Sequence, residues 1–311
     1  PALISALSPT PMPTLEPTSA PAPAPVAGPY VWSTMDSGTP RHLYGVWGSS
    51  PDDVFAMGLG GTIMHYDGLS WSPMASEITG EFQFAIWGSS GSDVFAVGAL
   101  GTIMHYDGLS WSPMAGADNS GFQNGVWGSS STDVFAVGAS GTIMHYDGLS
   151  WSPMASGSRK ILSAVWGSSG TDVFAVGASG TILHYDGFDW SPMDSGTEKD
   201  LAEVWGSSSG DVFAVGQSGT ILHNNGSAWS PMAGGTKGDL YGVGGRSSGD
   251  VLAVGASGTI LRYDGGSWSP MSSGTTNVLA AIWGSSTGEV FVVGASGTIL
   301  YSPGKALIPG R

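Results

Sequence analysis

The 311-residue chain contains no cysteine, which removes disulfides, thiol catalysis and cysteine-bound zinc together. Charge is scarce as well: Asp, Glu, Lys and Arg make up 11% of residues, and only 9 side chains are Lys or Arg. With a formal net charge of −15, the cationic patch that phosphate backbones require has no material to form, so nucleic acid is excluded as a partner. The same imbalance works against attraction to anionic lipid surfaces. No apolar run approaches the ~18–20 residues of a membrane span, so membrane insertion is not expected. Helical periodicity of useful length is missing too. The chain starts at Pro1 without Met, which reads as a processed form or a fragment from which any signal peptide has gone.

What the chain has is repetition. The fifteen residues GTIMHYDGLSWSPMA occur at 61–75, 101–115 and 141–155, letter for letter. A WG motif recurs at Trp47, Trp87, Trp127, Trp166, Trp205 and Trp283, with Gly244 in the matching place of one copy. A GT motif recurs at Thr62, Thr102, Thr142, Thr181, Thr220, Thr259 and Thr298, so both series have seven members spaced by 39 or 40 residues. Within the first unit, runs rich in Val, Ile, Phe, Tyr and Trp at 43–49, 53–58, 62–66 and 70–74 are bounded by Gly, Ser and Asp. That is strand and turn chemistry. Four strands in ~40 residues is the unit of a β-propeller blade.

The two ends decide between a closed ring and an open solenoid. WSPM appears at Trp71, Trp111, Trp151, Trp190, Trp229 and Trp268, but the seventh unit ends after Thr298 without it. The missing piece stands at the other terminus as YVWSTMDSGT, residues 30–39. A fourth strand lent by the N-terminus to the last blade closes a ring and removes free edges, and a solenoid has no use for it. The expected fold is therefore all-β: a seven-bladed β-propeller of four-stranded blades over 31–304, closed by strand 31–36. A Pro-rich extended arm or linker (1–30) and a C-terminal tail (305–311) flank it. Pro73, Pro113, Pro153, Pro192, Pro231 and Pro270 mark the fourth strand as an edge, since Pro cannot donate to a ladder. The N-terminal copy has Thr34 there.

Spacing locates the variation. Only the stretch from the WSPM Met to the next WG changes length, and its sequence diverges, so these loops gather on one face of the ring. Variable loops on a rigid scaffold are where binding residues tend to sit. Arg41, His42, Glu81, Phe82, Phe122, Gln123, Arg159 and Lys160 are the candidates.

At WGSSxxDVFAVGxxGTIxHYDGxxW the chain resembles bacterial extracellular seven-bladed propellers built of short Trp-Gly repeats. It is more distantly similar to Asp-box and photosystem-assembly-factor propellers. The resemblance covers about residues 31–303 and implies the fold and a secreted or cell-surface location in a bacterium. YDGLSW, residues 66–71, keeps the Asp, Gly and Trp of an Asp-box but lacks the residue between Asp and Gly. In that family the box is structural, which implies no catalytic role for Asp67, Gly68 or Trp71.

Catalytic residue types are abundant but repeated. His65, His105, His145, His184 and His223 lie on five different blades and cannot meet at one metal ion, so each is expected to bond within its own blade. Carboxylates recur at Asp53, Asp93, Asp133, Asp172, Asp211, Asp250 and Glu289, and again at Asp67, Asp107, Asp147, Asp186 and Asp264. Both sets are expected to cap turns. A Ser/His/Asp triad can be assembled in nearly every blade, and repetition argues against it, because a catalytic triad is unique. No enzyme activity and no cofactor are expected. Blade six breaks the pattern: Gly244, Leu252, Arg246 and Arg262 replace Trp, Phe, Ser and His. Arg246 and Arg262 are a candidate anion pocket, the alternative being drift with Arg stems filling the space of the absent Trp.

Function is accordingly expected to be structural or interactive, through a protein partner or the chain itself. Self-assembly into a surface polymer or filament would use the arm and closing strand, with Pro1, Ala2, Leu3, Ile4, Leu7, Trp32, Thr34 and Met35 as candidate interface. A multivalent carbohydrate-binding lectin is the alternative.

Overall fold

The computed structural model describes residues 30–76, 83–115 and 121–303. Its strands form seven four-stranded antiparallel sheets, each consecutive in sequence except the last. In blade one the strands are Leu43–Ser50, Asp53–Gly58, Ile63–Tyr66 and Trp71–Pro73, counted from the ring axis outwards. The last sheet takes Leu279–Gly284, Val290–Gly294 and Ile299–Ser302 from the C-terminal end and Ser33–Met35 from the N-terminal end. There Ser33 pairs with Tyr301, Thr34 with Leu300 and Met35 with Ile299. The ring closes as the motif count requires, and the paired part of the closing strand is shorter than 31–36.

The second strand of each blade, DVFAVG or a variant of it, is apolar at consecutive positions because both of its faces are covered. In blade one Val54 and Ala56 pack towards blade seven, whereas Phe55 and Met57 pack towards blade two. Seven apolar clusters result, one between each pair of neighbouring blades, including the pair formed by blades seven and one. The core is thus a ring of interfaces, and the last interface is as continuous as the others.

The WG dipeptide sets the spacing of the blades. The Trp47 ring closes on Gly88 of the next blade, where an added Cβ would sit 2.7 Å from Trp47 Cη2. The same relation joins Trp87 to Gly128, Trp127 to Gly167, Trp166 to Gly206, Trp205 to Gly245 and Trp283 to Gly48. The turn after the second strand carries a left-handed residue in every blade: Gly60 in the first, then Leu100, Ser140, Ser179, Ser218, Ser257 and Ser296 at φ 53–58°. Six side chains therefore sit where only Gly is comfortable.

Candidate functional site

The register of the blades brings the repeated Ser, Asp and His together, with the carboxylate in the middle. Phe55 pairs with His65 on the third strand, and Ser50 with Asp53 across the first turn. His65 Nε2 lies 2.6 Å from Asp53 Oδ1, while Ser49 Oγ donates to Asp53 Oδ2. Blades two to five repeat this at His105–Asp93, His145–Asp133, His184–Asp172 and His223–Asp211, with Nε2 to Oδ1 distances of 2.6–2.7 Å. Each imidazole also packs on the Phe of the second strand, at 4.6 Å between centroids for Phe55 and His65. In a catalytic triad the His stands between Ser and Asp. Here the Ser hydroxyl donates to one carboxylate oxygen and the imidazole bonds the other, so the carboxylate stands between them.

The expectation that both carboxylate sets cap turns is corrected for the first. Asp53, Asp93, Asp133, Asp172, Asp211 and Asp250 tie the first turn to the third strand through side chains, whereas Glu289 accepts from Ser285 Oγ and Thr287 Oγ1 within the turn. The second set does cap: Asp67 Oδ1 accepts from Leu69 N at 2.9 Å and Ser70 N at 2.8 Å, and Asp107, Asp147, Asp186 and Asp264 do the same in their blades. These backbone donors hold the five carboxyls below the usual range, so they are ionised at neutral pH. Among the described residues, no three His, Asp or Glu side chains converge as a metal site.

Blade six keeps the geometry and changes the groups. Arg246 donates to Asp250 Oδ2, where Ser stands in other blades, and Arg262 Nε donates to Oδ1 at 2.9 Å, where His stands. The two guanidiniums are thus taken up by the chain's own carboxylate. Tyr30 completes the group, its hydroxyl donating to Asp250 Oδ2 at 2.9 Å. Its ring is 5% exposed, packs with Leu252 and Leu279, stacks on Trp32 at 5.8 Å and lies beneath the Arg246 guanidinium at 5.1 Å. It borders Gly244 and Gly284, where the repeating Trp would otherwise lie. A Cβ at Gly284 would find no atom nearer than 3.8 Å, unlike its counterparts beneath a Trp. An aromatic ring from the other terminus thus narrows the space left by the absent Trp, and a gap remains between it and Gly284. Burial opposes ionisation of Asp250, but bonds from Arg246, Tyr30 and Arg262 outweigh it and hold the carboxyl below its ordinary value. Burial, followed by Asp250, pushes the Tyr30 hydroxyl up.

The loop candidates divide. Arg41 Nη1 donates to the Leu59 and Gly60 carbonyls at 3.4 Å, and the His42 ring stacks with Tyr44 at 6.4 Å. Phe122 is 49% exposed and meets Phe84 edge-on at 6.1 Å, so blades one to three carry an aromatic cluster on the variable-loop face. Arg159 is exposed, and Lys160 Nζ donates to Ser179 Oγ at 3.3 Å. Gln123 is not at the surface: it is 1% exposed, in the place that Leu43 and Leu162 take in their blades. Glu81 and Phe82, and the arm residues Pro1, Ala2, Leu3, Ile4 and Leu7, lie outside the described residues. At the closing strand Trp32 and Met35 are partly buried against the ring and Thr34 faces out.

Two further features were not singled out in the sequence. Leu69, Leu109, Leu149 and Phe188 sit at one turn position in four consecutive blades and are 87–91% exposed. Blades five and six have Ser227 and Gly266 there. The second feature is Glu203. It lines the channel at the ring axis, a cavity of about 260 Å³ walled by the innermost strands. Burial pushes its carboxyl up to about 8. Comparing copies finds it, because the other six hold Gly or Ala at that position.

No protein-family model matches the sequence. No curated protein matches it either. Among solved structures the chain is similar to YCF48 bound to D1 peptide, at 17% identity and TM-score 0.74, covering 92% of this chain and 99% of that one. YCF48 from Cyanidioschyzon merolae gives 18% and 0.71, covering 87% and 98%. The WD40 β-propeller domain of Doa1 gives 13% and 0.75, covering 88% and 96%. Likeness at this level of identity establishes the seven-bladed fold.

Proposed function

We propose that the protein is a non-enzymatic propeller scaffold that binds protein partners, at the cell surface or secreted. One observation carries the reading: four large apolar side chains, Leu69, Leu109, Leu149 and Phe188, stand almost fully in solvent at equivalent turns of successive blades. Nothing in blade packing calls for them, since Ser227 and Gly266 serve the same turn in blades five and six. Beside each stands an ionised carboxylate, Asp67, Asp107, Asp147 or Asp186. An arc of alternating apolar and acidic groups fits a basic segment with apolar residues, and it repels a second copy of itself. The Ser–Asp–His groups, with the carboxylate between the other two, support the non-enzymatic part. A protein ligand is also what one similar propeller carries, the D1 peptide of YCF48. The extracellular part rests on the Pro-, Thr- and Ser-rich stretch 8–30 and on the Trp-Gly repeats.

Selection from a random-peptide display library on the immobilised protein tests the reading. Enrichment of peptides combining Lys or Arg with Leu, Phe or Trp is expected. A library that emerges no different from selection on an unrelated acidic propeller overturns it. For the carbohydrate alternative, the fourth-strand Trp that would stack on sugars are only 3–8% exposed.

A further inference from the structure

At the level of Glu203 the seven innermost strands come together around the ring axis. The equivalent residues are Gly45, Ala85, Gly125, Ala164, Gly242 and Ala281. Small residues are needed there because neighbouring backbones are close: a Cβ at Gly125 would sit 2.8 Å from Ala164 Cα, and one at Gly242 would sit 3.1 Å from Ala281 Cα. A glutamate at one of seven such places is therefore the feature of the channel that packing least explains. Its Oε1 accepts from Val204 N at 3.0 Å, and the side chain remains partly open to solvent. One residue earlier on the same strands, at the mouth facing the variable loops, stand Tyr44, Phe84 and Tyr241. Among the described residues no Lys, Arg, His or Asp lines the channel, and besides Glu203 its ionisable groups are Tyr44 and Tyr241.

We propose that the channel receives one guanidinium side chain, an arginine of a bound partner, with Glu203 as its counter-ion and Tyr44, Phe84 and Tyr241 as the aromatic collar through which it enters. A planar cation is matched by both elements: a carboxylate accepts two of its N–H groups, and aromatic faces attract it during passage. The acidic surplus of the whole chain steers a cation towards the ring. Empty, the channel keeps Glu203 largely protonated at neutral pH, because burial raises its carboxyl to about 8. A guanidinium in the channel favours the ionised form, so its binding releases a proton and weakens as pH falls below about 8. The source of the arginine rests on the protein-binding reading, whereas the channel can be tested without it.

The probe is acetyl-Gly-Arg-Gly-amide titrated into the full chain and followed by two-dimensional NMR, with the citrulline peptide as its neutral isostere. Saturable shifts at the amides of Glu203, Val204 and Gly242 are expected, with affinity falling by up to about tenfold per pH unit below pH 8. Citrulline should produce none of them. Glu203→Gln should lose tenfold or more in affinity together with the pH dependence. Glu203→Ala, which copies Ala164 and Ala281 and so keeps the fold, should do the same. Both variants should melt higher than the parent at pH 8, since they remove a carboxylate disfavoured by burial. Equal binding by either variant, equal binding of citrulline, shifts confined to other sites, or no saturable binding at pH 9 overturns the proposal. Because the probe is too short to span the ring, failure here leaves the outer arc untouched, and failure of peptide selection leaves the channel testable.

Discussion

Removing the Tyr30 ring should destabilise a blade more than 200 residues away in sequence. Tyr30 is 5% exposed and takes up part of the space beside Gly244 and Gly284. Tyr30→Ala therefore leaves a cavity of aromatic size in the cluster between blades six and seven. Such truncations cost ~3–5 kcal/mol. Tyr30→Phe keeps the ring and removes only the bond to Asp250, which still holds Arg246 and Arg262. Its cost is expected near the low end for a bond to a charged group, ~1.5 kcal/mol. Introducing Gly244→Trp supplies the residue other blades use. In the parent it competes with Tyr30 for one space and destabilises; in Tyr30→Ala it refills the cavity and recovers part of the loss. A Cβ at 244 meets Ile282 Cγ2 at 3.3 Å and Ile282 O at 3.5 Å, a tight approach that a small shift of the Ile282 side chain relieves. Denaturant midpoints at unchanged m-value give all four corners of the cycle. If Tyr30→Ala unfolds within ~0.5 kcal/mol of the parent, or the two changes simply add, the ring does not replace the Trp.

Asp250 gives a pH dependence. Its carboxyl is held below the ordinary value in the folded state, so its contribution is present above about pH 4 and is lost as pH falls through the folded value. Arg262→Gln should flatten the fall in stability on the acid side, seen in urea midpoints from pH 5 to pH 2; an unchanged slope contradicts the network. Leu100, 60% exposed at φ 56°, should gain ~0.5–1 kcal/mol on Leu100→Gly in thermal melts, and a loss would mean the turn is not strained. Deleting residues 1–36 should abolish cooperative melting or cause aggregation, and an unchanged melt refutes closure. Self-assembly through residues 1–36 predicts concentration-dependent growth of the full chain by light scattering; if the full chain and a chain starting at Pro29 are both monodisperse monomers at high concentration, that idea ends.

Much of the fold was legible because the chain carries seven readings of one blade, and comparing them replaces comparison with relatives. The split of the last blade between termini followed from a count of WSPM copies. Connectivity within the Ser–Asp–His groups was not legible, since motif spacing says nothing about which atom of Asp53 faces Ser49 and which faces His65. Tyr30 could not be assigned for a different reason. It occurs once, and the gap it borders is made by an absence at Gly244, far along the sequence. The arginines of blade six are readable from the sequence as an anion pocket or as drift, and spacing alone does not show that both bond Asp250. Glu203 and the exposed Leu69 series were readable in principle. Both are departures among copies, of charge in one case and of apolar tip in the other, and neither resembles a catalytic motif.

The account's central claim is that repeated polar chemistry holds the blades while departures from repetition bind partners. Its most direct test is an affinity titration of a display-selected peptide against three forms of the chain: parent, His145→Gln, and the quadruple variant Leu69→Ser, Leu109→Ser, Leu149→Ser, Phe188→Ser. Burying even one such apolar side chain is worth ~1.5–3 kcal/mol, or about tenfold or more in affinity. The quadruple variant should therefore lose at least tenfold while keeping its melting temperature, and His145→Gln should melt lower yet bind as the parent does. Full affinity in the quadruple variant, or lost binding in a folded His145→Gln, contradicts the account.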